Sequence, residues 1–237
     1  MTVPLRLMTV NLLHDRCDPS DFARVLSEIE PDVVVTQELG PMCADVLASR
    51  YPNHRLQPAL GFVGRGIATR LDASFGDIDM LGRPGTEATL SVGGHSLGLA
   101  GVHLLNPIQY PWWEMVRTRR AQLASLFDWL DEHGDRPVVV AGDFNASPGW
   151  PAYRQTARRL DDLVVGWAER VGSDTERTWG WRPGSPRMLR IDHIFGLGVV
   201  ADDVRVVPVK GSDHAAVVTD LVISDQSPVP RSRSRAS

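Results

Sequence analysis

The chain has 237 residues, 43% hydrophobic and 23% charged, the balance of a globular protein large enough to bury one substantial core. No run approaches the roughly 18 apolar residues of a membrane span, and Met1–Arg6 lacks a basic segment leading into a long apolar one, so neither a span nor an export signal is expected. The net charge of −4 conceals an acidic body, because residues 1–225 carry 22 bases against 29 acids; a broad basic surface for duplex DNA is therefore not advertised.

Taken in chain order, Leu5–Val10 reads as a strand ending at Asn11. Ser20 is the expected cap of a helix whose apolar residues Phe22, Val25, Leu26 and Ile29 follow i, i+3, i+4, i+7 spacing, and Pro31 ends it. Val33–Val35 forms a second buried strand leading into Gln37-Glu38, and residues 41–50 suggest a short helix. Residues 56–105 read as short, Gly-punctuated antiparallel strands closing on Val102-His103. A loop with Pro107, Pro111, Trp112 and Trp113 precedes a helix over residues 115–132, striped by Leu123, Leu126, Phe127 and Leu130, with Gly134 as its cap.

The run Val138–Ala141 is bounded by Pro137 and Gly142 and reads as a strand buried on both faces. It ends in Gly142-Asp143-Phe144-Asn145, a pattern that also suits a plain turn or a helix cap. A helix near 151–163, a Trp- and Gly-rich loop around Trp179 and Trp181, a strand Leu189–Phe195 and a final strand Ala215–Ile223 complete the reading. Residues 1–223 form one expected domain, and the Ser-, Pro- and Arg-rich residues 224–237 an expected disordered tail. Cys17 and Cys43 have no metal-type spacing; free thiols and a cytoplasmic location are the expectation.

Polar residues recur where strands end: Asn11, Glu38, His103, Asn106, Asp143, Asn145, Asp192, Asp213 and His214. Strand ends lie along shared sheet edges, so residues this far apart in sequence can converge. Carboxylates, carboxamides and imidazoles without cysteine suit a hard cation such as Mg²⁺ or Mn²⁺. The same set offers a base for water and cationic groups for an anionic transition state, which are the needs of phosphate-ester hydrolysis.

The ordered series Thr9-Val10-Asn11, Thr36-Gln37-Glu38, Val102-His103-Leu104-Leu105-Asn106, Gly142-Asp143-Phe144-Asn145, Arg190-Ile191-Asp192-His193-Ile194-Phe195 and Ser212-Asp213-His214 resembles the endonuclease/exonuclease/phosphatase superfamily. The resemblance spans about residues 5–223. It implies a DNase I-like four-layer α/β sandwich, two packed mixed β-sheets flanked by helices, with the active site at one end of the sheets. It implies that Glu38 is the main metal-binding carboxylate, assisted by Asn11 and by Asp213. Asp143 would activate the attacking water, Asn145 would hold the water or the phosphate, and His214 would contact the phosphoryl oxygen while Asp192 fixes its tautomer. His103 would lie near the leaving group, and Asn106 would contact a phosphate. A buried Asp192–His214 pair should keep the imidazole protonated near neutrality.

Each residue also has a plainer reading. Asn11 can cap a turn, Glu38 can be a loop acid and His103 a satisfied core histidine. His193 faces away from Asp192 by strand alternation and reads as structural. Trp112, Trp113, Trp179 and Trp181 suit a lid, a stacking platform or loop packing equally, and His14 and Asp15 are candidates to line the cleft. Arg117, Arg119 and Arg120 read as a solvated helix face, with a nucleic-acid backbone the sharper alternative.

The expected function is hydrolysis of phosphodiesters, with nuclease activity the leading form. A phosphatase, a phospholipid- or sphingomyelin-type phosphodiesterase and a catalytically silent binding module are the alternatives. A serine esterase is remote, because no Gly-x-Ser-x-Gly elbow is present. The partner implied is a phosphate-ester substrate, nucleic acid or a small or lipid diester. No stable protein partner is implied, and a monomer is expected.

Overall fold

Unbroken β-branched runs in this chain become strands whose two faces enter different apolar layers. The computed structural model describes residues 4–14, 16–108 and 111–223; Asp15 and the expected tail 224–237 lie outside the described residues. The chain begins β1 (Leu5–His14), α1 (Pro19–Ile29), β2 (Val33–Leu39), α2 (Pro41–Ala48), β3 (Asn53–Gln57) and β4 (Arg65–Thr69). It continues through β5 (Ala73–Ile78), β6 (Gly85–Val92), β7 (His95–His103), α3 (Trp112–His133), β8 (Val138–Asp143), α4 (Pro151–Ala157) and β9 (Asp161–Asp162). It closes with α5 (Leu163–Val171), β10 (Trp179–Gly180), β11 (Arg187–Leu189), β12 (Asp192–Leu197), β13 (Val199–Pro208) and β14 (Ala215–Ile223).

Two six-stranded mixed sheets result, in the orders β13-β14-β1-β2-β4-β3 and β5-β6-β7-β8-β12-β9, with β10 and β11 forming a separate hairpin. Leu7, Val33, Val35 and Ile67 of the first sheet share a core with Leu97, Leu99, Val139, Ala141 and Ile194 of the second. Their neighbours Met8, Val10 and Val34 point the other way, beneath Phe22, Val25 and Leu26 of α1 and Leu47 of α2. Val138 and Val140 likewise face Leu123, Leu126 and Leu130 of α3. Successive strand residues alternate between faces, so burial on both sides demands an apolar run without gaps. The expected sandwich of two sheets between helices is what forms.

The topology explains why strand ends converge. β1 and β2 run parallel, as do β7 and β8, so each pair brings its C-terminal ends to one edge. β14 is antiparallel to β1, and β12 to β8, so each supplies its N-terminal end to that same edge. Asp192 and His103 are both Cα partners of Asp143.

Several local expectations change. Asp18, not Ser20, caps α1, its carboxylate accepting from the Ser20 and Asp21 backbone N–H groups; Asp18 adopts extended backbone, and Pro19 follows at the first helical position. α3 starts at Trp112, so Trp112 and Trp113 belong to its first turn, and Gly134 caps it without a left-handed conformation. The expected helix near 151–163 ends at Ala157 as α4; β9 follows, and α5, which was not anticipated, begins at Leu163 under the Asp162 carboxylate cap. The expected strand Leu189–Phe195 divides into β11 and β12. β13 was not anticipated, because Val199–Pro208 contains Asp202, Asp203 and Arg205 on an edge strand half open to water.

Arg119 also departs from expectation. It is 8% exposed and donates to the Leu105 and Phe144 carbonyl oxygens, the latter at 3.0 Å, while Arg117 and Arg120 remain in solvent. Burial pulls its guanidinium down to about 10. Arg119 thus braces the two loops that follow β7 and β8, which carry Asn106 and Asn145. Among the described residues no helix is long and apolar enough to cross a membrane, and Cys17 and Cys43 are buried and form no disulfide.

Candidate active site

The shared edge opens into a cavity of about 370 Å³ lined by Glu38, His103, Asn106, Asp143, Asn145, Asp213 and His214. Asn11 and Asp192 stand behind this lining, holding its members in place. Its remaining walls are mainly apolar and include Phe62, Ile108, Trp150 and Trp179.

The backbone under this cavity is strained. Glu38 has φ 52° and Asn145 φ 46°, left-handed values that L residues with a Cβ adopt at a cost of order 1–3 kcal/mol each. Gly142 has φ 147°, and a Cβ there would sit 2.0 Å from the Val102 carbonyl oxygen. Only glycine lets β8 run this close to β7 immediately before Asp143.

Asp143 is the hub. Its Oδ1 accepts from the Asn145 backbone N–H at 2.7 Å. Its Oδ2 accepts from Asn11 Nδ2 and Asn145 Nδ2, each at 3.1 Å. His103 Nε2 lies 3.4 Å and His214 Nε2 3.9 Å from the same oxygen. Burial pushes the Asp143 carboxyl up to about 6, against the pull of His214. A buried carboxylate of that basicity can hold a proton taken from water.

Glu38 forms the opposing wall. Asn11 Nδ2 donates to its Oε1 at 3.2 Å, so one carboxamide ties Glu38 to Asp143, while Asn11 Oδ1 accepts from the Leu13 N–H. His14 Nδ1 lies 2.9 Å from Glu38 Oε2. Burial pushes Glu38 up to about 7, so its charge is costly without a cation beside it.

The third group is a chain from Asp192 through His214 towards Asp143. Asp192 Oδ2 accepts from Thr178 Oγ1 at 2.6 Å and stands 2.9 Å from His214 Nδ1. Burial lowers the imidazole, but Asp192, Asp143 and Asp213 outweigh it and raise His214 to about 10. The direction is the one expected of a buried Asp192–His214 pair, towards an imidazolium at neutral pH. Ser212 Oγ donates to the Asn11 carbonyl and accepts from the His214 N–H, which anchors the loop before β14 to β1. Asp213 Oδ2 accepts from Trp179 Nε1 at 3.1 Å, and its buried Oδ1 has no hydrogen-bond partner among the described residues.

His103 reaches the cavity as expected, but in a neutral state. The Arg83 guanidinium contacts its Nε2, which must then act as acceptor, and burial together with Arg83 holds the ring well below the usual imidazole range. It has no imidazolium proton to offer a leaving group. Asn106 lines the mouth and its Oδ1 accepts from the Ile108 N–H. His14 contacts Glu38 as described, whereas Trp112 and Trp113 do not line the cavity.

Two site residues carried no sequence signal. Arg83, 6% exposed, lines the cavity with its guanidinium 5.5 Å from the Phe62 ring centroid. Trp150 forms part of the mouth. Arg83 is one arginine among many in a loop, and only burial beside His103 distinguishes it.

His193 is structural, as strand alternation indicates. It is fully buried, donates from Nε2 to the Ala146 carbonyl at 2.7 Å and packs on Phe144, Tyr153 and Phe195. Burial holds it down to about 4, from an ordinary 6.5. Above pH 6.5 folded and unfolded forms are both neutral there. Between about 6.5 and 4 the unfolded chain takes up a proton that the folded one refuses, so stability should fall by up to about 3 kcal/mol across that window. Urea melts at neutral and acid pH check this, and His193→Gln, which keeps a donor but does not titrate, should lose that part of the acid sensitivity. Equal sensitivity in both proteins would assign it elsewhere.

The Endonuclease/Exonuclease/phosphatase family matches residues 8–214. No curated protein matches the chain. Among solved structures, a humanized TDP2 from D. rerio is 20% identical, with a TM-score of 0.71 over 92% of this chain and 98% of that one. A 3′ phosphatase, NExo, from Neisseria, bound to a product DNA hairpin, is 20% identical, with a TM-score of 0.68 over 91% and 98%. The human Nocturnin catalytic domain, with bound sulfate, is 16% identical, with a TM-score of 0.64 over 94% and 97%. At these identities the likeness is one of fold.

Proposed function

The chain belongs to the endonuclease/exonuclease/phosphatase family of phosphoesterases, and from that premise we propose that it is a divalent-metal-dependent phosphodiesterase, acting as a nuclease. The observation that carries this reading is the juxtaposition at one sheet edge of the Asp143 carboxylate with the His214 ring, whose Nε2 lies 3.9 Å from Asp143 Oδ2 and whose Nδ1 lies 2.9 Å from Asp192. D. rerio TDP2 has been solved with a single-strand DNA product and NExo with a DNA hairpin product, which supports a nucleic-acid substrate.

Asp143 would take the proton of the attacking water, with Asn145 holding that water or a phosphoryl oxygen. His214 would donate a charged hydrogen bond to the phosphoryl oxygens as negative charge builds, a contact that gains strength in the transition state. Asn106 would bind phosphate at the mouth. His103, neutral and fixed by Arg83, would shape the leaving-group side, and Arg83 would add a fixed positive charge there.

The donor set fits a hard cation. Glu38 is a buried carboxylate raised by desolvation, and the buried Asp213 Oδ1 lacks a hydrogen-bond partner among the described residues. Glu38 and Asp213 would hold Mg²⁺ or Mn²⁺, with Asn11 assisting by aligning Glu38 with Asp143. Such a cation would neutralise charge on the phosphoryl oxygens. Asp143, Asp192 and His214 also offer ligand atoms within 4.8 Å of one another. His214 there spends Nδ1 on Asp192 and is held cationic, which suits a hydrogen-bond donor better than a metal ligand.

EDTA should abolish cleavage of oligonucleotides and of bis(p-nitrophenyl) phosphate, and Mn²⁺ or Mg²⁺ should restore it. Calorimetric titration with Mn²⁺ should show Glu38→Ala weakening binding by roughly tenfold or more, with Asp192→Asn near wild type. The opposite ranking would move the cation to the Asp143, Asp192 and His214 group.

A further inference from the structure

A second groove, of about 960 Å³, opens on the far side of the β10–β11 hairpin and shares Asp213 and His214 with the catalytic cavity. Arg177, Arg182 and Arg187 line it from the hairpin and its flank; Arg24 and Lys210 line it from elsewhere. Arg24 is held by Asp21 and Glu28, and Lys210 by Asp18. Arg177, Arg182 and Arg187 make no ion pair among the described residues, and the acids that share the groove with them are Glu176, Asp213 and Asp21, the last held by Arg24. In a chain with more acids than bases, this lining holds five bases, Arg24, Arg177, Arg182, Arg187 and Lys210, against three acids, which concentrates positive potential beside the catalytic cavity.

The hairpin is tied to that site. Trp179 Nε1 donates to Asp213 Oδ2, and the Gly180 N–H donates to the Asp213 carbonyl at 2.9 Å. Pro183 and Pro186 stiffen the turn between the strands. Trp181, 73% exposed, has its ring 6.3 Å from that of Trp179, which forms part of the catalytic cavity's wall. Cations along a groove, with an exposed indole where the adjoining cavity begins, form the combination that binds single strands, because only an unpaired base presents its face for stacking.

We propose that this groove is a second phosphate-binding subsite that holds the single strand flanking the scissile bond. Oligonucleotides are then the substrate class, and isolated diesters occupy the catalytic cavity alone. The inference rests on the phosphodiesterase reading of that cavity.

The test uses the full chain and its Arg177→Ala/Arg182→Ala/Arg187→Ala variant. The variant should raise KM for oligothymidylate by roughly tenfold or more and flatten the salt dependence of binding, with kcat/KM for bis(p-nitrophenyl) phosphate unchanged. Trp181→Ala should weaken oligothymidylate binding, and a duplex should bind less tightly than the single strand. An unchanged KM for oligothymidylate, or equal losses on both substrates, would overturn the proposal. So would a duplex binding as tightly as the single strand, or phosphatidylglycerol vesicles binding more tightly than the oligonucleotide. Fluorescence anisotropy of labelled oligothymidylate in EDTA separates the two readings. Binding lost in the triple variant supports the groove even if neither substrate is cleaved, the result that would fail the phosphodiesterase assignment.

Discussion

Asp143→Asn is expected to lower kcat by roughly 10³-fold or more while the melting temperature stays within a few degrees of wild type. Three donors converge on this carboxylate, the Asn145 N–H on Oδ1 and the Asn11 and Asn145 carboxamides on Oδ2. An amide cannot accept the proton of water, and its own NH₂ would face donors on at least one side. The proposed chemistry therefore loses both its base and part of its alignment. The fold should survive, because the substitution also removes a charge whose burial is unfavourable, as the upward shift to about 6 indicates. Mn²⁺ binding should persist, since Glu38 and Asp213 supply its proposed ligands. Wild-type turnover in this variant would exclude Asp143 from proton transfer.

The second large effect is expected at His214. His214→Ala should reduce kcat by roughly 10²- to 10³-fold with KM little altered, because the charged contact strengthens as the phosphoryl group gains charge. Asp192→Asn should reproduce part of that loss without removing a group that touches substrate. Asp192 acts as a positioning residue: its carboxylate both orients the ring and, with Asp143 and Asp213, keeps it protonated against burial. Nitrogen chemical shifts of the His214 ring provide an independent readout, imidazolium in the wild type and neutral in Asp192→Asn near neutral pH. A fall in kcat for Asp192→Asn with an unchanged imidazolium signature would show that charge is not what Asp192 maintains.

Both expectations depend on the braces around the edge. Asn11 connects Glu38 on β2 with Asp143 on β8, and so links the two sheets at the cavity floor. Arg119 ties the loops after β7 and β8 through carbonyl oxygens. The left-handed backbones of Glu38 and Asn145 are local costs that these contacts offset, and they aim both side chains into the cavity.

Much of this architecture was legible in the amino-acid order. Alternation and β-branching marked β1, β2, β7 and β8, and the polar residues just beyond those runs were the ones that converge. Those signals are local: a strand's burial on both faces is written into each successive residue. Capping at Asp18, the break between α4 and α5, and edge strand β13 were misread or missed, because short polar elements stand on contacts with neighbours distant in sequence. The same reason decided the arginines. Arg119 and Arg120 are adjacent, yet one is buried against two carbonyls and the other is solvated. Arg83 became part of the cavity, and Arg177, Arg182 and Arg187 part of a groove, only once the hairpin and strand ends were assembled. The sequence by itself determined the buried central strands and which polar residues end them. Tertiary structure decided which charges are buried, paired or left open, because that depends on the desolvation and non-local partners each group meets after folding.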